Sequence, residues 1–136
     1  QPHYHMLERG IEQELVPYCN AFKVGILPYF PLAGGFLTGK YQRGEAAPAG
    51  SRGASNPYVQ RYMTPVNYDR IEKLTAWAAE RSHSMGELAH AWLLAQPQVS
   101  SVISGATKLE QVQANAKSAS WKLSAEELAQ VNAVLA

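Results

Sequence analysis

Apolar and polar positions along this chain follow two periods, and the switches between them mark its elements. Ile11, Leu15, Val16 and Cys19 recur at helical spacing, with Glu12 and Glu14 in the first turns, where carboxylates favour the helix dipole. Pro17 falls inside this run, so the helix either kinks there or restarts with the proline in its first turn. Val24 to Tyr29 is a short apolar run suited to a buried parallel strand. Ile71, Leu74, Trp77 and Ala78 predict an amphipathic helix from Tyr68 to Arg81, capped by Asn67. Ser84 with Glu87 forms a capping box, opening a helix through Leu88, Ala91, Trp92 and Ala95 that stops at Gln96–Pro97. Val99, Val102 and Ile103 make a second short strand. It runs through Gly105–Ala106 into a helix with Leu109 and Val112 on one face, and Thr107 and Glu110 have capping-box spacing at its start. Ser124 and Glu127 repeat that spacing before a terminal helix through Leu128, Val131 and Leu135.

Between the first strand and the first amphipathic helix, Phe30 to Val66 holds most of the glycines and four prolines. An irregular stretch this long in a compact domain is a functional lid or is disordered, and Gly35 to Tyr41 is its candidate for a short helix or turn. Gln1 to Arg9 reads as the mouth of a strand passing into a loop. The order of elements implies a parallel sheet with right-handed crossovers. Two complete strands leave both sheet edges open, so the missing strands are expected from elsewhere, or the edges drive self-association. The chain opens on Gln1 inside a recognisable stretch and reads as the C-terminal part of something longer.

Composition narrows the classes. The 136 residues amount to one domain's worth, close to half apolar, with a net charge of +1. That balance gives no reason to expect nucleic acid or an anionic membrane as partner. A single cysteine, Cys19, rules out an internal disulfide framework and suits a reducing cytosol. No apolar run reaches the ~20 residues of a membrane helix.

Several residues carry candidate chemistry. The strand, Gly105 turn and capped helix at Val99 to Asn115 present free N–H groups and a positive dipole end; a phosphate site and a plain packing turn both fit. Gly34 and Gly35 can form an N–H nest for a pyrophosphate or a loop hinge. Lys40 and Arg52, taken alone, are solvated loop charges, and Tyr29 alone is a core tyrosine. His3 and His5 form an H-x-H pair without a third ligand at metal spacing. His83 and His90 read as structural residues at a helix cap and on a helix surface, and Cys19 as a small core residue.

Three motifs carry a resemblance. QPHYHMLER, Gln1 to Arg9, is similar to "QxxYxLLxR"; GILPYFPLAGGFLTGKY, Gly25 to Tyr41, to "GVLAYSPLAGGLLTGKY"; and the stretch from Val99 to Asn115 to "SVIxGA" followed by "xxEQxxxN". In that order and spacing they resemble the aldo-keto reductases. The resemblance implies the last two-fifths of a (β/α)8 barrel, from the end of strand six onward, with residues 1–136 as one partial domain and a cofactor-covering loop at about 30–66. In such barrels the active site lies at the C-terminal ends of the strands.

The resemblance also implies roles. Gln1 would hydrogen-bond the nicotinamide carboxamide and Tyr29 stack on the nicotinamide ring. Pro31, Leu32 and Gly34 would meet the pyrophosphate, with Lys40 and Arg52 on cofactor phosphates across the lid. Thr107, Gln111 and Asn115, spaced four apart on one helix face, would take the 2′-phosphate and adenine, with Lys108 adding charge. Cations at these places favour NADPH. Phe30 stands where the family commonly has Ser, Ala114 where it often has an acid, and Ser104 where Pro is common; the last is expected to be harmless. The family's Tyr, Lys, Asp and His catalytic set comes from the first half of the barrel and has no counterpart here, so no catalytic or metal-binding residue is assigned. The expected function is that of a cytoplasmic NADPH-dependent aldehyde or ketone reductase whose cofactor-binding part is this chain. The alternatives are a non-catalytic NADP-binding regulatory module resembling potassium-channel β subunits, and a half-barrel that assembles with another chain.

Overall fold

A computed structural model describes all residues, 1–136, of the chain. Seven helices follow one another: α1 Leu15–Phe22, α2 Arg52–Ser55, α3 Pro57–Gln60, α4 Pro65–Ala79, α5 Met85–Leu94, α6 Leu109–Ser118 and α7 Ala125–Leu135. Single 3-10 segments lie at Gly10–Glu12 and Ala33–Thr38. The first helical run is therefore split, and α1 restarts with Pro17 in its first turn, where a missing N–H costs nothing. Cys19 is its one buried residue.

Both capping boxes at serines form. Ser84 Oγ accepts from Glu87 N at 3.2 Å while Ser84 N donates to Glu87 Oε2 at 2.8 Å. Ser124 and Glu127 repeat this at 3.1 and 2.8 Å. Two expected caps do not. Helix α4 starts earlier than Asn67, at Pro65, with Thr64 as its cap; Thr64 Oγ1 accepts from Asn67 N at 3.3 Å, and the Asn67 side chain instead donates to the Tyr62 carbonyl at 2.9 Å. Pro65 at the first helical position fixes the start. At α6 the Thr107–Glu110 box is replaced by Gln111. Its amide reaches back, and Oε1 accepts from Thr107 N at 2.8 Å and from Lys108 N at 3.3 Å.

The two expected strands are corrected too. Neither Val24–Tyr29 nor Val99–Ile103 forms a continuous strand; pairing is reduced to single parallel bridges, Ile26 with Val99, Tyr29 with Ile103 and His3 with Tyr29. Ser100 N donates to Ile26 O at 3.0 Å, Ile103 N to Pro28 O at 2.9 Å and Tyr29 N to Pro2 O at 3.1 Å. Pro28 has no N–H to add to the ladder. Side chains meant for burial stay in solvent: Val24 is 46% exposed and Ile103 42%. Because all three bridges are parallel, the chain leaves the three segments at one common end, at His3–His5, Tyr29–Pro31 and Ile103–Gly105.

The core lies beside these segments rather than between sheets. Trp92, Leu88 and Leu93 of α5 pack with Leu74 and Ala78 of α4, Val131 of α7, Phe36 and Leu37 of the second 3-10 segment, and Tyr4 and Met6. Stretch 30–66 is not structureless: it holds the Ala33–Thr38 segment, α2 and α3. Arg43 pins it to α4 through ion pairs with Asp69 and Glu72. No helix is long and apolar enough to cross a membrane.

Candidate functional site

The common end of the bridged segments gathers most of the expected site. Tyr29 is 43% exposed, and its ring lies stacked on His3, centroids 5.2 Å apart and 19° from parallel. Gln1 is exposed at the start of the first segment, two residues before the bridge from His3 to Tyr29. After Tyr29 the backbone enters the left-handed region repeatedly, at Phe30 (φ +63°), Ala33 (+47°), Gly34 (+66°) and Gly35 (+99°). This conformation favours glycine, which explains two of the four residues, and it turns successive N–H groups to one side. The Leu32 and Gly34 N–H groups enter no hydrogen bond, whereas those of Ala33 and Gly35 close the turn on Phe30 and Leu32 carbonyls. Pro31 is buried beneath it.

Lys40 lies across this turn. A Cβ added at Gly35 would stand 2.6 Å from Lys40 Nζ, so the missing side chain makes room for the ammonium. Arg52 opens the short helix α2, exposed, and its neighbour Gly53 is tied to the same turn through Tyr41. Tyr41 donates from its hydroxyl to the Gly34 carbonyl at 3.3 Å and accepts from Gly53 N at 3.0 Å. No role was expected for Tyr41 from sequence; its place at the end of the LTGKY run was the available signal.

The third group is less unified. Ile103, bridged to Tyr29, starts the segment that runs through Gly105 to Thr107. Thr107 and Gln111 are exposed and bonded to each other, while Asn115 lines a cavity of about 310 Å³ between α5 and α6 together with Val112, Ala116 and His90. Thr107 lies before the first turn of α6, and Gln111 and Asn115 follow four apart along the helix. Gln111 turns to its own helix start, and Asn115 lines the cavity beside α5. Leu109 is the most exposed apolar residue of α6, at 67%, and His90, expected on a helix surface, is buried.

Electrostatics single out the histidines. Burial lowers the pKa of His3, His5 and His90. For His5, wholly inaccessible, burial first and then the neighbouring His3 push it down to about 3. Its Nδ1 accepts from Leu7 N at 3.2 Å, so the ring is neutral with the proton on Nε2. A folded-state pKa below the unfolded one means that the unfolded chain binds the extra proton. Stability is complete above pH 6.5 and falls as the pH drops toward 3. Lowering the pH from 7 to 5 is expected to remove about 2 kcal/mol through His5 alone. Urea unfolding of wild type and His5→Gln at both pH values checks it: equal losses in the two proteins would refute the assignment.

The described residues hold no group of three or more His, Cys, Asp or Glu arranged to take a metal ion. With this geometry in place, comparison with known proteins places the chain in a class. The profile of the Aldo/keto reductase family matches residues 1–136, and the chain belongs to that family. It is 38% identical over 121 residues to a probable voltage-gated potassium channel subunit beta of Oryza sativa subsp. japonica, covering 86% of this chain and 37% of that protein. It is 35% identical over 124 residues to the NADH-specific methylglyoxal reductase of Escherichia coli (strain K12), covering 91% and 37%. Among solved structures, a glycerol dehydrogenase from Gluconobacter oxydans superposes with a TM-score of 0.82 at 28% identity, over 99% of this chain and 41% of that one. The chain thus spans about two-fifths of the length of the relatives it matches.

Proposed function

We propose that this chain is the C-terminal part of an aldo/keto reductase barrel, from the end of strand six, and that it binds NADPH for the reduction of small aldehydes or ketones. The observation that carries the reading is the left-handed turn at Ala33–Gly35, with two unengaged N–H groups and Lys40 across it, beside the exposed ring of Tyr29. Free N–H groups with a nearby ammonium suit a pyrophosphate. Pro31, Leu32 and Gly34 form that cradle, and Tyr29 and Gln1 hold the nicotinamide end. Thr107, Gln111 and Asn115, with Arg52 and Lys40, take the phosphates and the adenine. Stretch 30–66 covers the dinucleotide. When bound, the nicotinamide supplies a hydride to the carbonyl carbon, and the proton for the alkoxide comes from the remainder of the barrel.

Fluorescence titration of the purified protein with NADPH and NADH tests this reading. NADPH is expected to bind more tightly, and Lys40→Ala with Arg52→Ala should weaken it roughly tenfold to a hundredfold, the scale of one or two charge-assisted hydrogen bonds. Failure of both nucleotides to bind overturns it. The similarity to channel β subunits supports a second reading, an NADP-binding regulatory module. Carbonyl turnover by the full-length protein separates the two. Exposed Val24, Leu27 and Ile103 support assembly with the rest of a barrel or with a second copy.

A further inference from the structure

Helix α5 reaches the segment that leads into α6 through a pair of side chains with no part in the reading above. His90 is 3% exposed. Its Nδ1 lies 2.8 Å from the Gly86 carbonyl oxygen, one turn earlier. A carbonyl only accepts, so Nδ1 carries the proton and Nε2 is left as an acceptor. Ser104, half-buried, donates its hydroxyl to that Nε2 at 2.5 Å. Both residues line the cavity between α5 and α6.

What gives the pair its weight is the backbone on either side. Ile103 N is held by the Pro28 carbonyl and Thr107 N by Gln111. Between them, Ser104, Gly105 and Ala106 make no backbone hydrogen bond as donor or acceptor, and a Cβ at Gly105 would meet nothing within 4 Å. The Ser104–His90 bond is the one hydrogen bond that ties this turn to the body of the protein. A turn this loosely held samples many conformations unless that bond fixes it.

We propose that His90 and Ser104 are positioning residues that set the Gly105–Thr107 turn for the phosphate end of the dinucleotide, acting through the Ser104 hydroxyl on His90 Nε2. This rests on the cofactor reading above. Protonating His90 converts its Nε2 from acceptor to donor, so the present serine bond is lost; the buried charge draws the ring toward water and the turn is released unless the hydroxyl rotates to accept. No charged side chain lines the cavity that His90 lines, and burial and the Gly86 bond alone account for the shift of its pKa. Its lining is Val112, Asn115, Ala116 and Ala119 from α6, and only serines, Val102 and Ala106 from the 101–106 segment. On its own helix, the Glu87 carboxylate is engaged by Ser84, His83 and Lys117. Burial holds the ring neutral at physiological pH.

The test uses the full-length protein in wild-type, Ser104→Ala and Ser104→Thr forms, with two readouts between pH 5 and 8. In NADPH titrations, wild-type affinity is expected to weaken as the pH falls. Ser104→Ala should bind roughly tenfold more weakly at pH 7.5, the scale of one hydrogen bond, and lose the His90-dependent slope. Ser104→Thr, which keeps the hydroxyl, should restore both. Without any nucleotide, the amide NMR shifts of Gly105 to Thr107 should follow His90 titration in wild type and not in Ser104→Ala. Equal pH profiles in wild type and Ser104→Ala, or amide shifts that titrate alike in both, overturn the positioning role. Amide coupling that is present while NADPH fails to bind supports the pair and overturns the cofactor reading instead.

Discussion

Trp92→Ala is expected to cost about 4 kcal/mol of folding stability, a large share of what a domain of this size possesses. Trp92 is the largest fully buried side chain in the molecule and lies 5.3 Å, centroid to centroid, from the Tyr4 ring. The Arg9 guanidinium also lies over it at 5.3 Å. Its indole N–H donates to Asn132 Oδ1 at 3.0 Å, and the same oxygen accepts from Arg9 Nη1 at 3.2 Å. Arg9 is held in turn by Glu12, which also accepts from the Tyr4 hydroxyl. One side chain therefore joins α5, α7 and the N-terminal segment. Trp92→Phe keeps much of the packing and loses the indole N–H, so it should cost only about 1–2 kcal/mol. Denaturant unfolding measures both, and a Trp92→Ala midpoint matching wild type would refute the packing account.

Gly34→Ala should destabilise by about 2–4 kcal/mol, part from a left-handed backbone and part from overpacking. At φ +66° a Cβ costs energy in any surroundings. Here it would also stand 2.4 Å from Val59 Cγ2 and 3.1 Å from the Phe30 ring. Val59 cannot yield easily, being wholly buried and stiff at χ1. Adding Val59→Ala removes the clash but leaves the backbone strain and opens a small gap. The double variant should then be less destabilised than the sum of the two single changes. Additive losses in thermal unfolding would mean that the collision is not the cause.

Local chemistry was readable where it closed on itself. The boxes at Ser84 and Ser124 need only residues three apart, and they form with no help from the rest of the fold. Ile71, Leu74 and Ala78 are buried on α4 for the same reason, a helical stripe that any apolar neighbour can cover. Reading failed where a distant group decided the outcome. Asn67 lost its capping role to Thr64 because Pro65 set the helix start and the Tyr62 carbonyl claimed its amide. His90 was placed on a surface because its burial depends on α6 and Ser104 folding over it. Strand Val24–Tyr29 was legible as apolar pattern, but a ladder needs continuous partners on both flanks, and here it keeps one isolated bridge on one flank and two on the other. For the site, the motifs pointed to Tyr29, the Gly34 turn and Lys40, which the fold does gather. The hydroxyl link of Tyr41 could not be read, since it spans from Gly34 to Gly53.

The Gln111 amide has a consequence for ligand selection. By accepting from Thr107 N and Lys108 N, it occupies the start of α6 with an internal substitute for an anion. A tethered group of this kind competes at an effective concentration of millimolar or more, and without paying the entropy of association. Dilute, singly charged ions such as chloride face a rival that never diffuses away. A ligand that takes these two N–H groups has first to displace the Gln111 amide, which rotation of that side chain alone would free.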